Sequence, residues 1–141
     1  MTNTAIFWPM IAQALLTFLI YCLVSWRRIG SIKAGTSKAA DYRIPTVEPE
    51  PSATVVRNLS NQFELPVLFY VVCLSLYITA AAATLAVLLA WGFVVARYAH
   101  AFVHVTSNLL RLRRPLFILG LVFVLLLWVV LAVHLATAGA L

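Results

Sequence analysis

The chain has 141 residues, 64% hydrophobic and 10% charged, with a formal net charge of +6. Soluble domains average about 45–50% apolar and 25% charged residues, and a water-soluble fold of this length cannot hide such a surplus, so an all-α, lipid-embedded protein is expected. The positive charge sits beside apolar runs, where it sets topology and meets anionic headgroups. With no aromatic-basic interleave or DNA-binding pattern beside it, nucleic acid is not an expected partner.

A spanning helix needs about 20 mostly apolar residues, and four stretches of the chain qualify. The first covers residues 6–26 and stops at Arg27-Arg28. It lacks a basic leader and is followed by charge instead of a small-residue cleavage site, so it reads as a span and not as a cleaved signal. Residues 27–56 form a polar loop holding Gly35, Pro45, Pro49 and Pro51 with Asp41, Glu48 and Glu50. Three prolines within seven residues predict no regular helix there. The loop is longer than a tight hairpin requires, so it is expected to cover something. The second span, 61–81, carries Pro66 near its start, where a proline bends a helix and frees a carbonyl. A very short link makes the third span, 84–106, its antiparallel neighbour. A basic break at 109–114 precedes the fourth, 115–138, with Pro115 placed at its first position. The whole chain, 1–141, reads as one membrane domain. Cys22 and Cys73 fall inside spans without C-x-x-C spacing and read as packing residues.

Arg27, Arg28, Lys33, Lys38, Arg43 and Arg57 lie between the first two spans, and Arg111, Arg113 and Arg114 between the last two. The other link and both tails carry no Lys or Arg. The positive-inside rule therefore puts both basic loops in the cytoplasm and both termini outside.

Ionisable groups at membrane depth cost about 2.5–3.5 kcal/mol on insertion scales, so they face the bundle interior and usually have a task. Arg57, Asn61 and Glu64 are spaced +4 and +3, which puts them on one helical face. Arg97, His100, His104, Asn108 and Arg111 follow at +3, +4, +4 and +3, again as one predicted face. The two faces match in depth, so Glu64 is expected to approach Arg97 or His100, and Asn61 to approach His104. The excess of cations and donors over one carboxylate points to an anionic ligand. A register-fixing ion pair with an interhelical hydrogen bond is the plainer alternative. Zinc on His100, His104 and Glu64 lacks the H-E-x-x-H pattern and has Arg97 beside it. A haem lacks facing histidines, because His134 lies at the opposite end and reads as a packing residue. No metal is expected.

The run Arg57-Asn58-Leu59-Ser60-Asn61-Gln62-Phe63-Glu64-Leu65-Pro66 resembles the start of the second helix in the MAPEG family, the membrane-associated proteins in eicosanoid and glutathione metabolism. That family shows an arginine, then Asn-x-x-Glu, then a proline. Arg97-x-x-His100, the polar residue at 104 and the basic turn Arg111–Arg114 are similar to the family too, and the wording is nearest to bacterial members without assigned activity. The resemblance implies a homotrimer of four-helix bundles in the bacterial inner membrane, with glutathione bound between subunits near the cytoplasmic side. It implies that Asn61 and Glu64 hold glutathione's polar groups and that Arg57, Arg97 and Arg27 or Arg28 take its carboxylates, with His100 and Asn108 nearby. Arg113 or Arg114 would activate the thiol. His104 stands where several members carry tyrosine, and Pro66 follows Glu64 by two residues where many members have three. The expected activity is a glutathione-dependent transferase or peroxidase acting on small hydrophobic substrates that arrive through the bilayer. A non-catalytic protein binding an anionic lipid or thiol, or a structural trimer, is the alternative.

Overall fold

The computed structural model describes residues 4–43 and 48–138. A short 3-10 turn, Thr4–Ile6, leads into α1 (Phe7–Lys33), and a second, Ala39–Tyr42, lies in the following loop. Then come α2 (Glu50–Asn61), α3 (Leu65–Ile78), α4 (Thr84–Val105) and α5 (Leu110–Ala138), with no strand among the described residues. With α2 and α3 in tandem as one crossing, four helical stretches are long and apolar enough to span a membrane.

Several boundaries differ from the sequence expectation, each for a local reason. Helix α1 runs on past Trp26 to Lys33 before Gly35, at φ +73, turns the chain. Helix α2 begins at Glu50 despite the proline-rich loop. Pro51 stands in its first turn, where a missing N–H costs nothing; Pro45 lies outside the described residues. Pro115 is inside α5, which starts five residues earlier at Leu110. Residues 57, 61 and 64 do not share one unbroken helix. Pro66 has no N–H to give the Gln62 carbonyl, and the chain breaks at Gln62–Glu64, with Glu64 at φ −100 and ψ −99. Gln62 and Phe63 donate instead to the carbonyls of Leu59 and Ser60, which tightens the last turn of α2.

One stripe of α1, Gln13, Leu16, Ile20 and Val24, is buried at spacings of three and four, and packs with Val55 and Ala101. The main core joins α3, α4 and α5 around Phe69 stacked on Phe93 at 4.3 Å. Ala86 and Ala90 face this core from α4, where small side chains let helices approach closely. Trp8, Phe18, Leu88, Phe102 and Leu125 point outward, as lipid-facing residues do. At the end opposite the basic loops, His134 Nε2 donates to the Thr79 carbonyl at 3.0 Å and secures the α3–α4 turn, where Ala80 has φ +59.

Helices α4 and α5 share the most extensive packing in the fold. A Cβ on Gly92 of α4 would lie 2.5 Å from the Phe123 ring of α5. Gly92→Ala is therefore expected to destabilise the bundle by about 1–3 kcal/mol through overpacking. Detergent-titrated unfolding followed by circular dichroism measures it, and an unchanged midpoint would contradict the packing described.

Candidate functional site

Four helix ends meet at the basic end of the bundle. There α2, α4 and α5 enclose a cavity of about 420 Å³. Helix α2 and the break after it supply Arg57, Asn61 and Glu64, α4 supplies His100 and His104, and α5 supplies Leu110, Arg113, Arg114 and Phe117. Seven of these are expected site residues on helix two or helix three or at the basic turn, now brought to one place. Leu110 and Phe117 complete the walls and carry no polar signal by which the sequence marks them.

Burial divides this set. Arg57 and Glu64 are exposed at the rim, Asn61 is half-buried, and His100 and His104 are buried at 2% and 1% exposure. His100 Nδ1 donates to the Arg113 carbonyl at 3.1 Å, leaving Nε2 without a partner. Both ring nitrogens of His104 are buried and unpartnered. Buried polar atoms are nearly always satisfied in folded proteins, by protein or by ordered water, and these imidazole nitrogens are free to bond to whatever occupies the cavity.

Arg97 is fully buried and lies off the cavity lining. Its Nη2 donates to the Asn61 carbonyl at 2.9 Å, while Nε and Nη1 have no partner. That carbonyl is left free by the break before α3, so Arg97 serves the helix interruption itself. Glu64 makes no ion pair within 4.0 Å among the described residues, so the expected contact with Arg97 or His100 is not formed.

Three further expected residues stand elsewhere. Arg27 Nη2 reaches the Val105 carbonyl at 3.4 Å, at the C-terminus of α4, where a cation is favoured. Arg28 is held by Glu48 through two hydrogen bonds of 2.9 and 2.8 Å. Asn108 has left the helical face on which its spacing put it. Helix α4 ends at Val105, and Asn108 turns the chain at φ +50 while its Oδ1 accepts from Arg113 Nη1. Arg111 belongs to α5 for the same reason.

The sequence reading missed a buried amide relay. Gln13 Nε2 donates to Gln62 Oε1 at 3.0 Å, and Gln62 Nε2 donates to Asn58 Oδ1 at 2.9 Å. All three side chains are at most 2% exposed. Gln13, an amide inside an apolar span, was the signal that would have found it. The relay ties α1 to the α2–α3 break and so fixes the floor beneath Asn61 and Glu64.

Glu48 also clasps the loop onto the bundle, since Ser52 Oγ donates to its Oε1 at 2.6 Å. Burial raises the Glu48 pKa, but the hydrogen bonds from Arg28 and Ser52 and the Arg28 charge outweigh that, leaving it below its ordinary value. A depressed carboxyl stabilises the folded form fully above its ordinary pKa and loses that contribution as pH falls through the depressed one. The clasp is thus closed at neutral pH and opens in acid. The Arg28 side chain is 34% exposed, so the pair contributes only about 0.5–1 kcal/mol. Glu48→Gln is expected to speed tryptic cleavage after Lys38 or Arg43 about two- to fivefold at neutral pH. Cleavage at an unchanged rate would show that the clasp does not hold the loop.

A four-crossing helical membrane protein with a basic, hydrogen-bond-hungry cavity at one end of its bundle is the class that this fold and site define. The MAPEG family model matches residues 5–133, and the chain belongs to the MAPEG family. Searches of curated proteins and of solved structures gave no match.

Proposed function

We propose that this MAPEG protein is a glutathione-dependent membrane transferase or peroxidase acting on small hydrophobic substrates. The observation that carries this reading is the charge balance of the 420 Å³ cavity. Three guanidinium groups, Arg57, Arg113 and Arg114, and two buried imidazoles face one carboxylate, Glu64. Glutathione, with one ammonium, two carboxylates and a thiol, is the complement. Glu64 takes the ammonium, Arg57 and Arg114 the carboxylates, and Asn61 a peptide group, which leaves the thiol near Arg113 and His104.

A free cysteine thiol has a pKa of about 8.5, and neighbouring cations lower it. The thiolate attacks an electrophilic carbon; the C–S bond forms as the leaving group departs with its electron pair, and the thiol proton passes to His104 or to water. With a hydroperoxide the thiolate takes the terminal oxygen, the O–O bond breaks and the alkoxide is protonated. A second glutathione then converts the sulfenic acid to disulfide and water. The basic end faces the cytoplasm by the positive-inside rule, with both termini outside the bacterial inner membrane. Because Arg57 and Glu64 are exposed at the rim, a neighbouring subunit of a homotrimer completes the site.

One observation favours a second reading. Arg113 already donates to Asn108, which engages the group that would activate the thiol. A protein that binds an anionic lipid or thiol without turnover needs no such activation. The ultraviolet absorbance of thiolate, measured as glutathione is added at neutral pH, separates the two. Thiolate is expected in the wild type and not in Arg113→Leu. Glutathione bound as thiol in the wild type would overturn the catalytic reading.

A further inference from the structure

Phe18, Cys22, Trp26, Gly30 and Ala34 follow one another four apart along α1 and its C-terminal cap, and all five are exposed. Residues at that spacing share a helical face, so they form one stripe about 24 Å long at 1.5 Å per residue. Its last three members open onto a groove of about 400 Å³, bounded by Thr36 of the loop and Pro51 of α2. A Cβ on Gly30 would meet nothing within 4 Å, so the groove reaches the helix backbone there. No residue of this groove lines the basic cavity.

We infer that this groove seats a phospholipid with an anionic headgroup, from the bilayer leaflet at the basic end of the bundle. Its phosphate lies on Arg27 and its acyl chain follows the α1 stripe. The inference does not depend on the thiol site. Three observations carry it. Arg27 lines the groove with its charge uncompensated: its hydrogen bond to the Val105 carbonyl is long, at 3.4 Å, and no carboxylate lies within 4.0 Å among the described residues. Arg28, by contrast, is paired with Glu48 and lies over the Tyr42 ring at 5.1 Å. Trp26, 69% exposed, stands where the apolar span gives way to Arg27-Arg28, the level at which indole rings and cations meet headgroups. Finally, Trp26, Cys22 and Phe18 continue the groove into the lipid as an exposed apolar track.

The hydroxyls around the groove are spent on the protein itself. Ser31 Oγ bonds Ser37 Oγ at 2.7 Å and Tyr42 Oη at 2.8 Å, and Thr36 Oγ1 donates to the Ser31 carbonyl at 3.0 Å. These bonds fix the loop wall and leave Arg27 as the contact for a headgroup. Lys33, Lys38 and Arg43 attract anionic lipid to the whole basic end, so the test must separate the groove from the charge of the loop.

Trp26 is its own reporter. The full chain is placed in vesicles of phosphatidylcholine with a minority of phosphatidylglycerol, and bromine is carried on the acyl chains of one lipid or the other. Trp26→Phe subtracts the signal of the other tryptophans. Brominated phosphatidylglycerol is expected to quench Trp26 about fivefold more per molecule than brominated phosphatidylcholine, the scale of one guanidinium beside an anionic headgroup. Gly30→Leu fills the groove without altering charge, and leucine is the better helix former; it is expected to remove most of that preference. Arg27→Gln is expected to do the same, while Lys38→Gln, which takes the same charge from the loop outside the groove, is expected to keep most of it. Equal quenching by the two lipids in the wild type would overturn the site. A preference that survives Gly30→Leu, or that falls equally in Arg27→Gln and Lys38→Gln, would assign the lipid to the charge of the loop and overturn the groove.

Discussion

Arg113→Leu is expected to lower turnover about 10²–10³-fold while changing glutathione affinity only severalfold. Arg113 and His104 line the same cavity. Removing one preorganised donor from developing negative charge costs about 10²–10³ in kcat. Uniform ground-state binding, which the proposed pose gives to Glu64, Arg57 and Arg114, is a separate contribution that the substitution spares. Because Arg113 also bonds Asn108, a turn effect must be separated from a charge effect. Asn108→Gly keeps the left-handed turn, which glycine adopts freely, and removes the side-chain acceptor. Turnover in Asn108→Gly is expected to stay near wild type or rise, since the guanidinium is released. A loss equal to that of Arg113→Leu would assign the effect to the turn. Steady-state kinetics with saturating glutathione reads both variants.

Gln62→Leu is expected to be the most destabilising single change at this end of the bundle. Gln62 joins Gln13 and Asn58 in one directional relay, and its loss leaves the Gln13 donor and the Asn58 acceptor buried without partners. Each unsatisfied buried group costs about 1–3 kcal/mol, so about 2–6 kcal/mol is expected for the two. The double variant Gln13→Leu with Gln62→Leu is expected to recover part of that loss, because paired apolar replacements leave fewer orphans. Unfolding midpoints in mixed micelles measure the cycle. An additive double variant would show that the two amides do not communicate.

The four crossings were legible because lipid leaves the backbone few choices. Long apolar runs must be helical to satisfy their own N–H and C=O groups, and the basic loops mark where those runs end. The site was legible where helical spacing survives in the fold: His100 and His104, four apart on α4, face the same cavity. It failed where the backbone departs from a helix. Asn61 and Glu64 reach the cavity across a break, not along one stripe, and Asn108 leaves the helical face in a left-handed turn, where it bonds Arg113. Arg27 or Arg28 was assigned to a ligand through the family resemblance. What claims them is the Val105 carbonyl and Glu48, which lie 78 and 20 residues away in the chain, and no local pattern reveals such partners. The proline-rich loop misled in the other direction, because Pro51 starts a helix as readily as it ends one.

The most direct test of the account is calorimetric titration of purified, detergent-solubilised protein with glutathione, set beside the same titration of Glu64→Gln. Saturable binding that weakens in the variant by about tenfold or more, the scale of a lost charge-assisted contact, is the predicted result. No binding at millimolar glutathione by a wild type that retains its helical signature would contradict it and assign the basic cavity to another ligand.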